Sequence, residues 1–195
     1  VVTYRETKEG GEETYKECKK YSDSIFIHLD ITKEESIKKA KKEIIKKFGG
    51  IDILVNNAGV LYDGKFIKQS PDEIRRQIDI NLTSGIISTR IFLLGLMKQK
   101  ESVIINIGSM AGKIPHKEYA VYCATKFGFR GFTKTLALEL PKNVKIYGIN
   151  PGRVATRMRS FRGILPSKIA DVIVKVLTGK IKIKSGCEVD MPWRD

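Results

Sequence analysis

The segment Ile51-Asp52-Ile53-Leu54-Val55-Asn56-Asn57-Ala58-Gly59 decides the fold that we expect for this chain. Its first half is a near-continuous apolar run, which is typical of a parallel strand buried on both faces. Its second half places amides and a glycine where such a strand would end. Polar residues and glycine at the carboxyl end of a parallel strand are typical of a ligand-binding edge.

Short apolar runs alternate with helical periods on both sides of this segment. Strands are predicted over residues 1–5, 25–29, 51–55, 103–107, 144–149 and 187–189. Helices are predicted between them, including residues 119–140 and 167–177. This alternation indicates an α/β fold with a doubly wound parallel sheet, helices on both faces and right-handed crossovers. No internal repeat or linker is visible, so residues 1–195 are expected to form a single domain.

Two helix starts have recognisable sequence patterns. Thr32-Lys33-Glu34-Glu35 predicts a capping box, followed by an apolar stripe and a stop at Gly49. Ser70-Pro71-Asp72-Glu73 predicts a second start, with proline in the first turn and the helix running to about residue 99 with a bend near Asn81. The stripe of the first helix consists of Ile37, Ala40, Ile44 and Phe48.

The charge of the chain leaves two interpretations open. It holds 36 basic and 22 acidic residues, a net charge of +14. Such a surface suits a polyanionic partner, and it also suits a stable protein coated with lysine. The three cysteines are widely spaced and the two histidines are few, so neither a disulfide framework nor a metal site is expected, and a reducing cytoplasm fits. No signal peptide or membrane span is visible.

Several chemically active side chains follow the predicted strands. Ser109 comes directly after one strand, and Tyr122 and Lys126 are four residues apart, so they share one face of a helix. An ammonium group near a phenol lowers the phenol pKa from its usual value of about 10, which lets it act as an acid or base. A serine hydroxyl nearby can bond to a substrate carbonyl oxygen, and Asn81 can orient a water.

These motifs together resemble those of the short-chain dehydrogenase/reductase family over nearly the whole chain. The resemblance rests on Asn56-Asn57-Ala58-Gly59, Asn81-Leu82-Thr83, Ile107-Gly108-Ser109, Tyr122-Cys123-Ala124-Thr125-Lys126 and Asn150-Pro151-Gly152-Arg153-Val154-Ala155-Thr156, with Leu29-Asp30-Ile31-Thr32 beside the family's adenine position. It implies a Rossmann-like fold in three layers, α/β/α, and an oxidoreductase that acts on carbonyl or alcohol groups with a nicotinamide cofactor.

The resemblance also implies residue roles. Tyr122 would be the general acid/base, Lys126 would bind the nicotinamide ribose and depress the Tyr122 pKa, Ser109 would polarise the substrate carbonyl, and Asn81 would hold a relay water. Cofactor contacts would come from Asp30 and Ile31 at the adenine, from Asn56, Ala58 and Gly59 in the cleft, and from Pro151, Gly152, Val154 and Thr156 at the nicotinamide.

The cofactor type depends on the end of the first strand of this chain. NAD-dependent enzymes usually place a carboxylate there for the ribose hydroxyl, whereas a basic residue favours the extra phosphate of NADP. The strand ends at Arg5, with Glu6 next to it. We therefore expect NADP, with Arg5 on its 2′-phosphate, rather than NAD; Arg5 as a simple solvated charge is the alternative.

The family's glycine-rich T-G-x-x-x-G-x-G turn is absent from the sequence. Gly10-Gly11 follows the strand that ends at Arg5, so it does not replace that turn. We expect a strand–turn–helix unit of roughly thirty residues ahead of Val1. Without its strand, apolar strand edges would divide the sheet in two. The open alternative is a chain that lacks the unit and binds no dinucleotide.

The sequence leaves several substrate classes open. The closest subgroup in appearance is the 3-oxoacyl-carrier-protein reductases, whose acidic carrier suits the positive charge and the arginines of residues 157–162. An NAD-dependent sugar, polyol or alcohol dehydrogenase is an alternative. A non-catalytic nucleotide- or nucleic-acid-binding protein is an alternative of another class. A homodimer or homotetramer is expected through residues 82–99 and 119–140; membrane and nucleic-acid partners are not.

Overall fold

The computed structural model describes residues 1–6, 8–156 and 161–192, in which strands and helices alternate. The strands are β1 (Val2–Tyr4), β2 (Phe26–His28), β3 (Ile53–Asn56), β4 (Ser102–Ile107), β5 (Val144–Pro151) and β6 (Glu188–Met191). The helices are α1 (Lys8–Lys19), α2 (Glu34–Phe48), α3 (Pro71–Ile78), α4 (Ser84–Leu96), α5 (Ala120–Glu139) and α6 (Pro166–Leu177), with 3₁₀ turns at Phe66–Lys68 and Met110–Gly112.

Within the described residues all strand pairs are parallel, and they form two separate sheets. One sheet has two strands, β1-β2, and the other has four, in the order β3-β4-β5-β6. The register places Ile53 opposite Val103 and Ile105 opposite Tyr147. The predicted parallel α/β fold is confirmed.

The apolar core lies on both faces of the larger sheet. Ile104 and Ile146 belong to a cluster with residues of α2 and α4, and this cluster also includes Ile27 of β2. Ile105 and Ile149 belong to a second cluster under α6. Since successive residues of a strand point to opposite faces, the alternation along β4 gives the three layers.

Strand β3 is covered on one face only. Leu54 packs against the first cluster. Ile53 is 47% exposed and Val55 is 42% exposed, although their register partners Val103 and Ile105 lie in or against the second cluster. The side of β3 that shares a face with α6 is therefore open. A cleft of about 2200 Å³ is lined by β3 together with β1 of the smaller sheet.

One predicted helix start is confirmed and the other is wrong. Ser70 and Glu73 form the reciprocal capping box at the start of α3. Helix α2 instead begins after Lys33 without a side-chain cap, because the Thr32 backbone N–H and hydroxyl both donate to Asp30 Oδ1, at 3.0 and 2.6 Å. This helix ends at Gly49 in the left-handed conformation, as predicted. Its final stripe residue, Phe48, is 39% exposed rather than buried.

Candidate functional site

The parallel strands bring the predicted site residues to one edge of the fold. Because parallel strands end on the same side, residues that follow β1, β3, β4 and β5 face a common opening. All but one of the predicted residues line the cleft between the sheets: Arg5, Ile31, Asn56, Ala58, Gly59, Asn81, Ser109, Tyr122, Lys126, Pro151, Gly152, Val154 and Thr156. Asp30, the exception, has its Oδ1 occupied by Thr32, and that hydrogen bond is the main cause that lowers the pKa of its carboxyl group.

Lys126 lies at the bottom of this opening. It is 5% exposed, and its Nζ donates to the Ile107 carbonyl oxygen at 3.1 Å. The same nitrogen is 5.7 Å from the centre of the Tyr122 ring. Burial lowers the pKa of Lys126 to about 8, because an ammonium group loses its hydration there. An anionic or hydroxyl-bearing group bound beside it would offset that loss.

Tyr122 and Ser109 line the cleft beside this ammonium group. Tyr122 is half-buried, with its ring edge-on to Tyr119 at 6.1 Å between centres. Ser109 is 9% exposed and follows β4, and its Oγ accepts a hydrogen bond from the Ala111 N–H at 3.1 Å. Ser109 Oγ keeps its own proton available for donation, since a hydroxyl both donates and accepts.

The turn after Ser109 packs closely on α5, and Gly112 permits the contact. A Cβ atom at Gly112 would stand 2.8 Å from the Lys126 carbonyl oxygen. Any side chain there would push the turn away from the helix that carries both Tyr122 and Lys126. The glycine therefore fixes the spacing between Ser109 and the pair on α5.

Asn81 lies in a π-helical turn, Asp79–Thr83, that interrupts the long helix between α3 and α4. Its side-chain Oδ1 accepts from the Val60 N–H at 2.7 Å, and its Nδ2 donates to the Val60 carbonyl oxygen at 2.8 Å. The π turn lies where the bend was predicted, and π turns are common at functional positions. The side chain fastens the segment after β3 to this turn; the relay water stays a prediction.

A row of amides and hydroxyls, of which Thr89, Asn106 and Thr133 are buried, crosses the larger sheet beneath the cleft. Asn56 Nδ2 donates to Asn106 Oδ1 at 2.8 Å and to Thr89 Oγ1 at 3.0 Å, and Asn106 Nδ2 donates to Thr133 Oγ1 at 2.9 Å. The Asn56 amide nitrogen is thus used within the protein, although the residue lines the cleft. Asn106 was not among the residues predicted from the sequence, although an asparagine within the apolar run Val-Ile-Ile-Asn-Ile was an available signal.

Arg5 follows β1 as predicted, and its guanidinium pairs with Glu6. Glu6 also lies 3.5 Å from Arg76. The Arg5 side chain is 28% exposed, so a ligand at the end of β1 can reach it. Any phosphate bound there would compete with the Glu6 carboxylate.

Further observations concern the parts of the chain that the structure describes. No group of three or more His, Cys, Asp or Glu residues in those parts could hold a metal ion. No helix in them is both long and apolar enough to cross a membrane. Of the arginine-bearing loop, residues 157–160 lie outside the described residues.

The fold and the cleft at its strand ends define a Rossmann-like α/β protein, and comparisons with known proteins give the family. The sequence model described as short chain dehydrogenase matches residues 1–163. The chain belongs to the short-chain dehydrogenase/reductase family.

Two curated relatives and one solved structure are similar to this chain. The trans-4-hydroxycyclohexanecarboxylate dehydrogenase of Sinomonas cyclohexanicum is 40% identical over 136 residues, which cover 69% of this chain and 52% of the relative. The 3-oxoacyl-[acyl-carrier-protein] reductase of Vibrio cholerae is 38% identical over 131 residues, covering 67% and 54%. The alcohol dehydrogenase of Thermococcus sibiricus, solved with 5-hydroxy-NADP, superposes with a TM-score of 0.87 at 23% identity, covering 96% of this chain and 83% of that one. The chain thus spans about half the length of the curated relatives it matches.

Proposed function

We propose that this chain is the greater part of an oxidoreductase that transfers a hydride between NADP and a carbonyl or alcohol substrate. The observation that carries the proposal is the buried Lys126 ammonium group, 5.7 Å from the Tyr122 ring, in a cleft that Ser109 also lines. The buried ammonium and the polar strand ends fit a ribose and a nicotinamide. A bound nicotinamide would supply or accept the hydride.

The side chains would manage the proton and the developing charge on the substrate oxygen. During reduction, the Ser109 hydroxyl would donate a hydrogen bond to the carbonyl oxygen, and the Tyr122 hydroxyl would give that oxygen its proton. The phenolate left on Tyr122 is favoured by the Lys126 ammonium group. Alcohol oxidation uses the same steps in reverse. Asn81 would hold a relay water.

The remaining predicted residues would hold the cofactor. Asp30 and Ile31 would lie at the adenine, Pro151, Gly152, Val154 and Thr156 at the nicotinamide, and Asn56, Ala58 and Gly59 between them. Arg5 would bind the 2′-phosphate, and the relative solved with an NADP derivative supports this choice. NAD is the alternative, because Glu6 adjoins Arg5.

Arg5→Gln should raise the KM for NADPH at least tenfold and leave the KM for NADH nearly unchanged. Equal changes in the two KM values would favour NAD.

We propose that a strand–turn–helix unit outside these 195 residues completes the fold. Two observations support it: β1 and β3 both line the wide cleft, and Ile53 and Val55 are exposed on the face that α6 covers elsewhere. A parallel strand would fill the gap between the sheets, and a helix after it would cover Ile53 and Val55. Its turn would bring backbone N–H groups to the cofactor phosphates.

The substrate class and the assembly are also proposals. The reductase relative supports a 3-oxoacyl group on an acidic carrier, and the cyclohexanecarboxylate dehydrogenase relative supports a small alcohol.

Exposed apolar residues on α4 and α5, namely Leu94, Phe127 and Leu138, support a homodimer or homotetramer. The three free thiols suit a cytoplasmic protein.

The test is a panel of carbonyl compounds and alcohols with NADPH, NADH and their oxidised forms, using the full-length protein. Tyr122→Phe should lower kcat at least a thousandfold while NADPH binding, followed by fluorescence, stays within threefold. Tyr119→Phe, which removes the hydroxyl of the neighbouring ring, is the matched control and should lose less than tenfold. Wild-type turnover in Tyr122→Phe would refute the mechanism. Salt-dependent RNA or DNA binding without NADPH consumption would favour the non-catalytic alternative.

A further inference from the structure

A carboxylate on β6 connects two segments that are far apart in the sequence. Asp190 Oδ1 accepts a hydrogen bond from Asn150 Nδ2 at 3.0 Å, and Asp190 Oδ2 pairs with the Lys113 ammonium group. The Asp190 side chain is 34% exposed and that of Lys113 is 29% exposed, whereas Asn150 is 2% exposed. The carboxylate therefore lies at the boundary between the sheet and the solvent, with one oxygen on each partner.

Both partners of Asp190 adjoin Ser109. Lys113 directly follows the 3₁₀ turn Met110–Gly112, and Ser109 is the N-cap residue of that turn. On the other side, Asn150 presses its Oδ1 against the residue before the serine, since a Cβ atom at Gly108 would stand 2.1 Å from that oxygen. The Gly108 N–H also donates to the Ile149 carbonyl oxygen at 2.8 Å. One carboxylate thus contacts the supports on both flanks of Ser109.

We propose that Asp190 is a positioning residue for Ser109. Through Lys113 it holds the turn after the serine, and through the Asn150 amide it holds the strand end before it. Ser109 Oγ is itself fixed to that turn by the Ala111 N–H at 3.1 Å. Release of the turn would let the hydroxyl leave the orientation in which it faces the substrate oxygen. The effect on rate rests on the proposed function; the effect on the turn does not.

The charge state of Asp190 supports this arrangement. Burial by itself would raise the pKa of Asp190, but hydrogen bonds from Lys113 and Asn150, with the charges of Lys113 and Arg130, hold it below its usual value. The carboxylate is therefore charged at neutral pH and can serve both donors. The other β6 carboxylate, Glu188, is bound instead by Arg130 and Lys134 of α5.

Hydrogen exchange tests the positioning without any turnover. Ala111, Gly112, Lys113 and Ile114 all donate backbone hydrogen bonds within the turn, so the peptide over residues 108–117 reports its opening. Asp190→Asn and Lys113→Met should speed exchange in this peptide at least fivefold. Glu188→Gln is the matched control, because it alters the carboxylate two residues away on the same strand and should leave this peptide unchanged. Equal exchange in all variants would overturn the proposal, and so would acceleration by Glu188→Gln alone.

Kinetics in the full-length enzyme then separates positioning from mere support of the fold. Asp190→Asn should lower kcat at least tenfold while the dissociation constant for NADPH stays within twofold, and Lys113→Arg should retain most of the wild-type kcat because it preserves the ion pair. If Asp190→Asn accelerated the hydrogen exchange of the turn and left kcat unchanged, the proposal that Asp190 positions Ser109 would also be overturned. If the wild-type enzyme turned over no substrate, the proposed function would fail, and the exchange experiment would still decide whether Asp190 holds the turn.

Discussion

Lys126 is the residue at which function and stability conflict most directly. Its ammonium group is 5% exposed, and burial lowers its pKa from the usual 10.5 to about 8. At neutral pH, a shift of this size makes the folded protein about 3 kcal/mol less stable than it would be if the Lys126 amine kept its usual pKa. The cost is understandable if the charge is needed for a phenolate and a ribose.

The pH dependence of unfolding should show this conflict. Between pH 8 and 10.5 the unfolded state holds a proton on Lys126 that the folded state has lost, so the free energy of unfolding rises with pH in this range. Lys126→Met removes that contribution and should be more stable than the wild type at pH 7, by up to about 3 kcal/mol. The advantage should shrink as the pH approaches 10.5.

Urea unfolding at several pH values between 7 and 10 measures the difference between the two proteins. The exposed Lys42 of α2 supplies the control, since Lys42→Met should follow the wild type at every pH. A constant difference between Lys126→Met and wild type across the range would show that the buried amine does not titrate as described.

At the scale of elements, the contact between α5 and the turn after Ser109 leaves no room for an added side chain. Gly112→Ala would place a Cβ 2.8 Å from the Lys126 carbonyl oxygen, a backbone atom that cannot move without the helix. We expect a loss of stability of about 1–3 kcal/mol and a larger proportional loss of kcat, because Ser109 moves away from Tyr122.

For another glycine, which lies on α5 itself, we expect a substitution by alanine to stabilise the protein. A Cβ at Gly131 meets nothing within 4 Å, and the residue lies within α5. Gly131→Ala should therefore raise the free energy of unfolding by up to about 1 kcal/mol through helix propensity alone. Thermal unfolding of both variants checks the pair, and a destabilised Gly131→Ala together with an unaffected Gly112→Ala would contradict the packing argument.

The elements also show which features can be predicted from the sequence. The capping box at Ser70 is local, so four consecutive residues were enough to predict it. Thr32 has the same local pattern, but its backbone N–H, which a capping box would direct to Glu35, donates instead to Asp30, two residues earlier. An irregularity of the helix at Asn81 was predictable because a polar residue lies in an apolar region, whereas the two hydrogen bonds between Asn81 and Val60 depend on the tertiary fold. The Lys113–Asp190 pair joins residues 77 positions apart, and no sequence pattern marks it.

For the molecule as a whole, the divided sheet is the dominant feature. The core cluster under α2 and α4 includes Ile27, so the two sheets share apolar packing although no strand pair joins them in the part of the chain that the structure describes. The exposed edge of β3, with Ile53 and Val55 beside it, is the kind of surface that proteins ordinarily cover. The net charge of +14 does not by itself explain that opening.

A substitution on the open face of β3 tests whether a further unit covers it. Val55 is 42% exposed in the described residues, so Val55→Lys should change the stability of the 195-residue chain by less than about 0.5 kcal/mol. In a longer product that carries the proposed strand–turn–helix unit, the same lysine would be buried and should cost several kcal/mol. Ile105→Lys is the control, since Ile105 is fully buried on the same face and its replacement should destabilise both forms. Urea unfolding gives the comparison. A mass near 22.0 kDa for the native protein, or an equal effect of Val55→Lys in the two forms, would rule out a covering unit.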